Sequence, residues 1–202
     1  MSLDKSTNPF LDFYDVKKDT IVKTGGNGLW HILKMNEVLP STGKCSFAMK
    51  VAESEINCVE IGIMPQEYTP VENKICEKGL GFHFANGKVH DTKGSKEKRT
   101  TAWRAVCEPA AKGTLGTIEL DVDADNQMIH WKFEGKVFAK SVITSYLKER
   151  PCVPYISAVH VKDTVVVERY ESKISQKIAE KENEVVRPSP IEVERGRPTN
   201  EI

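Results

Sequence analysis

Several things are missing from this 202-residue chain, and each absence excludes something. No stretch approaches the roughly 20 consecutive apolar residues that a membrane-spanning helix needs, and the start, MSLDKSTNPF, has no apolar run behind a basic segment. Net charge is missing too, because 29 Lys and Arg balance 29 Asp and Glu. A neutral chain has no global field to hold nucleic acid or an anionic membrane, so a charged partner must be met by a local patch. The cysteines, Cys45, Cys58, Cys76, Cys107 and Cys152, are odd in number, scattered, and never form a C-x-x-C pair. Neither a disulfide framework nor a zinc knuckle follows. The expectation is reduced, buried thiols in a soluble cytoplasmic, intracellular protein.

The residue patterns of catalysis are absent as well. There is no Gly-x-Ser-x-Gly elbow and no cysteine whose neighbours would activate it. His31, His83, His90, His130 and His160 form no HxxxH or HExxH pair, and alternation with apolar neighbours places most of them on solvent-facing edges. A metal site of His83, His90 and Asp91 would need those ligands to converge. The glycine pairs in GGNG (Gly25 to Gly28) and KGTLG (Lys112 to Gly116) do not open a helix, so a phosphate cradle lacks the helix N-terminus that completes it. The acidic stretch DVDADNQ, from Asp121, resembles a calcium loop only in its alternate aspartates. Asn126 stands where the sharp-turn glycine belongs and Lys132 where the bidentate glutamate belongs, so it reads as an acidic turn. No catalytic residue, cofactor or metal is assigned, and the chain is not expected to be an enzyme.

What the sequence does contain is a period of two. From Thr20 to Tyr170, Val, Ile, Phe and Trp arrive in short bursts between Gly, Pro, Asn and Asp clusters, an all-β pattern of the sandwich or barrel kind. Strands are predicted at TIVKT, LWHILKM, KCSFAMKV, INCVEIGIM, LGFHFA, KVHD, GTIELDV, QMIHWKF, KVFAK, PYISAVHV and TVVVERY. Asn86-Gly87 is a strong two-residue hairpin signal, since a type I′ turn needs positive φ at both central positions; Glu134-Gly135 is a weaker version of it. Flanking alternation turns Phe82, Phe84, Trp131 and Phe133 toward the core. Helical spacing begins only at Glu171, where ESKISQKIAEKENEVV sets Ile174 and Ile178 four apart on a charged background. The predicted division is an N-terminal extension over 1–12, a β-sandwich over 13–170, a charged helix over 171–186, and a polar tail over 187–202. That tail bears prolines and Ser189-Pro190, and is disordered or ordered by a partner.

The one concentrated basic stretch is KGSKEKR, Lys93 to Arg99, with Trp103 and Arg104 soon after. A solvated loop explains it without a function. Contact with an acidic partner segment is the sharper reading; nucleic acid is disfavoured because no aromatics interleave the charges.

Taken in order, these pieces resemble the SPRY domain family. Trp30 after GGNG is similar to the family's opening, STGKCSFAMKV to its Gly-Lys-aromatic-Glu-Val strand, and INCVEIGIM to its Ile-Gly-Ile strand. GLGFHFANGKVHD is similar to its glycine-aromatic hairpin, KGTLGTIELDVDADNQMIHWKFEGK to its most diagnostic stretch, and VPYISAV to its closing strand. The resemblance runs from about Phe13 to Tyr170. Departures are Thr114 for the usual Asp, Glu134 for the usual Asn, and Ala48-Met49 for the usual aromatic-Glu pair; the PRY extension is not recognisable. The resemblance implies a bent antiparallel β-sandwich of the concanavalin-type jelly-roll kind. It also implies non-catalytic binding of a peptide or partner protein through loops at one end, as a scaffold or subunit of a larger complex. The matching loops are Met64 to Lys78, Asp91 to Arg104 and Tyr146 to Arg150, and Tyr68, Arg99, Trp103, Arg104 and Tyr146 are the candidate partner-binding residues, chosen as aromatic or Arg anchors. The alternative is a carbohydrate-binding, lectin-like jelly roll using Trp131 beside DVDADN as a sugar platform.

Overall fold

The computed structural model describes residues 3–74, 79–85, 88–90, 98–99, 116–142 and 149–173. After a short 3-10 turn at Leu11–Phe13 come β1 (Tyr14–Lys17), β2 (Thr20–Lys23), β3 (His31–Lys34), β4 (Lys44–Glu53), β5 (Val59–Pro65), β6 (Leu80–His83) and β7 (Lys88–His90). Then follow β8 (Lys98–Arg99), β9 (Thr117–Asp123), β10 (Met128–Phe133), β11 (Lys136–Val142), β12 (Cys152–Ala158) and β13 (Thr164–Lys173). They form a seven-stranded sheet in the order β1-β2-β13-β4-β9-β10-β11 and a six-stranded sheet in the order β3-β12-β5-β6-β7-β8. Every pairing among them is antiparallel.

Alternation builds the core between the sheets. In β9, TIELDVD buries Ile118, Leu120 and Val122 and leaves the residues between them partly exposed. Phe47, Met49, Ile129 and Trp131 join them, facing Leu33, Ile61, Ile63, Phe82 and Ile156 of the other sheet. The Phe82 ring lies 5.2 Å from Phe84, 5.1 Å from Phe138 and 6.4 Å from Trp131. The expected inward set therefore holds, with Phe133 packed at the core's margin.

The outer faces differ. On the seven-stranded sheet the outer face is a charged ladder, with Lys132 at 2.8 Å from Glu119 and 2.5 Å from Asp121, and Arg169 at 2.9 Å from Glu119. On the six-stranded sheet it is a second apolar cluster of Ile32, Met64, Val153 and Tyr155. That explains why VEIGIMP and CVPYISA are buried at every position: a strand covered on both faces loses its alternation. The cover is residues 66–74, a strap pinned by the buried Lys34. Its Nζ donates to the carbonyls of Gln66 (2.9 Å) and Tyr68 (2.8 Å), while the Asn73 amide donates to Trp30 O at 2.9 Å.

Three expectations change. Residues 14–17, not read as a strand, form β1, because their pairing with β2 supplies the order that the local pattern lacks. The predicted helix loses its start, since residues 171–173 continue β13 opposite β4; its remainder lies outside the described residues. The N-terminal extension, set apart from the sandwich by sequence, is docked on it. Asn8 is buried and treats β3 as a neighbouring strand would, its Oδ1 accepting from Lys34 N (2.6 Å) and its Nδ2 donating to Lys34 O (3.1 Å), which shields an exposed sheet edge.

The weak hairpin is also accounted for. Glu134 and Gly135 both have positive φ, 46° and 76°. Glu134 is held in this unfavourable region because its Oε1 accepts from Thr117 N at 2.7 Å while its own amide donates to Thr117 O at 3.0 Å. Asn86 and Gly87 lie outside the described residues; β6 and β7 pair with His83 opposite Lys88, which leaves four residues, 84–87, between the paired positions, whereas a two-residue Asn86-Gly87 turn would set Ala85 opposite Lys88.

Candidate binding site at one end of the sandwich

Register decides which loops share an end. Lys44 pairs with Asp123 and with Lys173, and Cys152 pairs with Pro65. One end of the sandwich therefore carries the β3–β4 loop, the start of the 66–74 strap, the β9–β10 turn, the residues before β12, and the end of β13. His90 and Lys98, which close β7 and open β8, face the same way.

At this end the sheets part around a cavity of about 380 Å³. Its floor is Ile63, Val122 and Cys152, its wall is Val38, Leu39 and Pro40, and its rim includes Gln127, Glu149 and Arg150. The wall is held in place by backbone bonds: Leu39 N donates to Cys152 O at 2.8 Å, and Tyr170 Oη donates to Val38 O at 3.1 Å. Val38 is 44% exposed, an aliphatic side chain in water at the mouth of an apolar cavity. Two predicted loops meet beside it, joined by Arg150 Nε to Glu67 Oε1 at 3.0 Å and Gln66 N to Pro151 O at 2.8 Å.

The titratable groups around the cavity are tied up by burial and by internal pairing. Burial pushes the Cys152 thiol up to about 12, so it stays protonated and poorly nucleophilic. The acidic turn is occupied internally: Asp123 takes Lys44 at 2.9 Å and the Asn126 amide at 3.0 Å, and with Lys44's hydrogen bond as the largest cause its pKa falls to about 2. Among the described residues no group of three or more His, Cys, Asp or Glu is placed to hold a metal.

The sequence candidates fall unequally. Tyr68 is half-buried, packed on Ile32, Met64, Val153 and Tyr155, so most of its ring anchors the strap. Arg99 ends β8 opposite Lys88, and only its backbone is described. Trp103, Arg104 and Tyr146 lie outside the described residues. Sequence reasoning missed the Val38–Leu39–Pro40 wall. Its signal is weak: two aliphatics in NEVLPST, between the strands predicted at LWHILKM and KCSFAMKV.

The opposite end is filled. Lys23, fully buried, donates from Nζ to Leu29 O (2.5 Å), Ala158 O (2.9 Å) and Val159 O (2.8 Å). His31, expected on a solvent-facing edge, is fully buried because the docked N-terminal segment lays Phe10 and Phe13 over its ring, at 4.8 and 4.5 Å. Burial and then the Lys23 charge lower its pKa, against the opposing pull of Glu72, whose Oε1 is 3.4 Å from Nε2. A Cβ on Gly26, at φ +59°, would enter that ring, which gives GGNG a packing role. Trp131 is 0% exposed, inside the core, and Asp123 and Asn126 bond each other, so the sugar platform of the lectin alternative does not exist.

Solved structures share this architecture. A human SPRY domain superposes with a TM-score of 0.59 at 14% identity, covering 77% of this chain and 94% of its own. The SPRY domain of human HERC1 gives 0.60 at 10% identity, covering 85% and 100%. The TRIM65 PSpry domain gives 0.54 at 7%, covering 78% and 86%. The chain thus has a SPRY-like β-sandwich fold. No protein-family model and no curated protein matches its sequence.

Proposed function

We propose that this chain is a non-catalytic protein-recognition module that binds a peptide segment or partner protein through the loops around the end cavity, as a component of a larger assembly. The observation that carries the reading is the apolar cavity between the sheets, with an exposed aliphatic at its mouth and one charge of each sign on its rim, Arg150 and Glu149. Such a site takes an aliphatic side chain into a dry pocket and fixes orientation through polar contacts at its edge. Tyr68, Arg99, Trp103, Arg104 and Tyr146 are the surrounding contacts in this reading, with the basic stretch from Lys93 meeting an acidic part of the partner. Cys45, Cys58 and Cys152 are free thiols, consistent with a reducing compartment. Among the described residues no helix is long and apolar enough to cross a membrane.

Cross-linking mass spectrometry on the protein in its native extract tests this directly. Partner cross-links should map to the 38–41 and 149–152 segments and fall at least tenfold in Val38→Glu, which puts a charge at the cavity mouth without disturbing the core. Partner cross-links that are unchanged in Val38→Glu would sink the proposal.

A further inference from the structure

Resting on that reading of the cavity, we propose that its resident occupant is the chain's own tail: Pro190, Ile191, Glu192 and Val193 enter it in cis, and an outside peptide must displace them. The argument begins with where the chain leaves the sandwich. β13 ends at Lys173, paired with Lys44 at the cavity end, and three residues earlier Tyr170 is hydrogen-bonded to the carbonyl of Val38 in the cavity wall. Residues 174–202 therefore start beside the mouth, not across the molecule.

Reach is ample. About 17 residues separate Lys173 from Ile191, an r.m.s. span of roughly 20–25 Å for a flexible chain, against about 10 Å between the sheets that flank the cavity. The segment also matches the site. Pro188 and Pro190 favour extended backbone and lower the cost of ordering it. In an extended segment Ile191 and Val193 project to one side, toward Leu39, Ile63 and Val122, while Glu192 projects to the other. Glu192, Glu194 and Arg195 offer both signs of charge to a rim that carries Arg150 and Glu149. Ile174 and Ile178 suit the site less well: their four-residue spacing makes a helical stripe, which presents a broad face and not a single file of side chains.

A tether of this length sets an effective concentration of about 1 mM. An intrinsic Kd of about 0.1 mM is what the proposal requires: the tail then fills the cavity roughly nine-tenths of the time and weakens a competing peptide about tenfold.

The test uses the full-length chain and a fluorescein-labelled synthetic peptide of residues 186–197, titrated by anisotropy. The peptide should bind the Ile191→Asp/Val193→Asp chain about tenfold more tightly than the wild type, and adding Val38→Glu to that background should abolish binding. Equal affinity for both chains, no binding to either, or binding that survives Val38→Glu each overturns the proposal. Sedimentation at the same concentrations separates cis from trans: a wild-type dimer that becomes monomeric in the double variant assigns the occupant to a second copy and overturns the cis assignment. If the tail fails these tests while partner cross-links still map to 38–41 and 149–152, recognition at the cavity stands without its internal competitor.

Discussion

Replacing Lys23 with Met tests whether the closed end of the sandwich holds its cation at a cost. Enclosure lowers the Lys23 pKa from 10.5 to about 8, burial being the larger cause and the Asp163 charge opposing it. As pH rises, the folded protein releases this proton near 8, whereas the unfolded chain keeps it to about 10.5. Between those values the unfolded state binds more protons, so stability must rise with pH. A lag of this size, followed from pH 7 to pH 10, corresponds to about 2.5 kcal/mol. Carbonyl acceptors at Leu29, Ala158 and Val159 favour the ammonium and offset part of the burial, so about half, 1 to 1.5 kcal/mol, is the expected size. The assay is urea unfolding of wild type and Lys23→Met at several pH values across this window. The three carbonyls stripped of their donor in Lys23→Met cost stability by an amount independent of pH, and groups common to both proteins cancel in the difference. Wild-type stability minus variant stability should climb through the window. A flat or falling difference would show that the carbonyls fully compensate burial and would refute the reasoning.

Gly81→Ala should destabilise by about 1–3 kcal/mol in urea unfolding, because its Cβ would press on Tyr155 Oη and lie 2.8 Å from Glu60 Oε1 in a fully buried, hydrogen-bonded pair with no room to shift. Glu134→Ala should lower stability by about 1 kcal/mol, losing the Thr117 bond while keeping an unfavourable positive φ, whereas Glu134→Asn should come within about 0.5 kcal/mol of wild type because Asn tolerates that φ. Thermal melts of the two variants decide this, and equal losses would dismiss the compensation argument. The folded-state pKa of Asp123 is depressed, so the stability it contributes is full above its ordinary pKa of 3.8 and disappears as pH falls through about 2. An NMR titration of its carboxyl should find that low midpoint in wild type and a return toward 3.8 in Lys44→Met.

Much of the fold was legible because a strand buried on one face announces itself. The alternation in LGFHFA and QMIHWKF placed Phe82 and Trp131 in the core, and the ordered motifs pointed to a SPRY-like sandwich. Where strands are covered on both faces, as in VEIGIMP, the alternation vanishes and composition alone remains. His31 reads as an edge residue from its neighbours and is buried because Phe10 and Phe13, some 20 residues away in sequence, close over it. The site was the least legible part. Val38 and Pro40, Ile63, Val122 and Cys152 come from four separate stretches of chain, and no local pattern marks residues that meet only after the sheets pair.

By itself the sequence determined the all-β class, most of the strands, the Glu134-Gly135 turn and the inward set of the core, since backbone preference and side-chain alternation act over a few neighbouring residues. The tertiary structure alone decided that β2 lies between β1 and β13, that Asn8 shields the edge of β3, that a strap buries the outer face of the six-stranded sheet, and that one end opens into a cavity while the other closes on Lys23. Each of these depends on which distant segment comes to cover a surface, and that is set by the free energy of packing the whole chain.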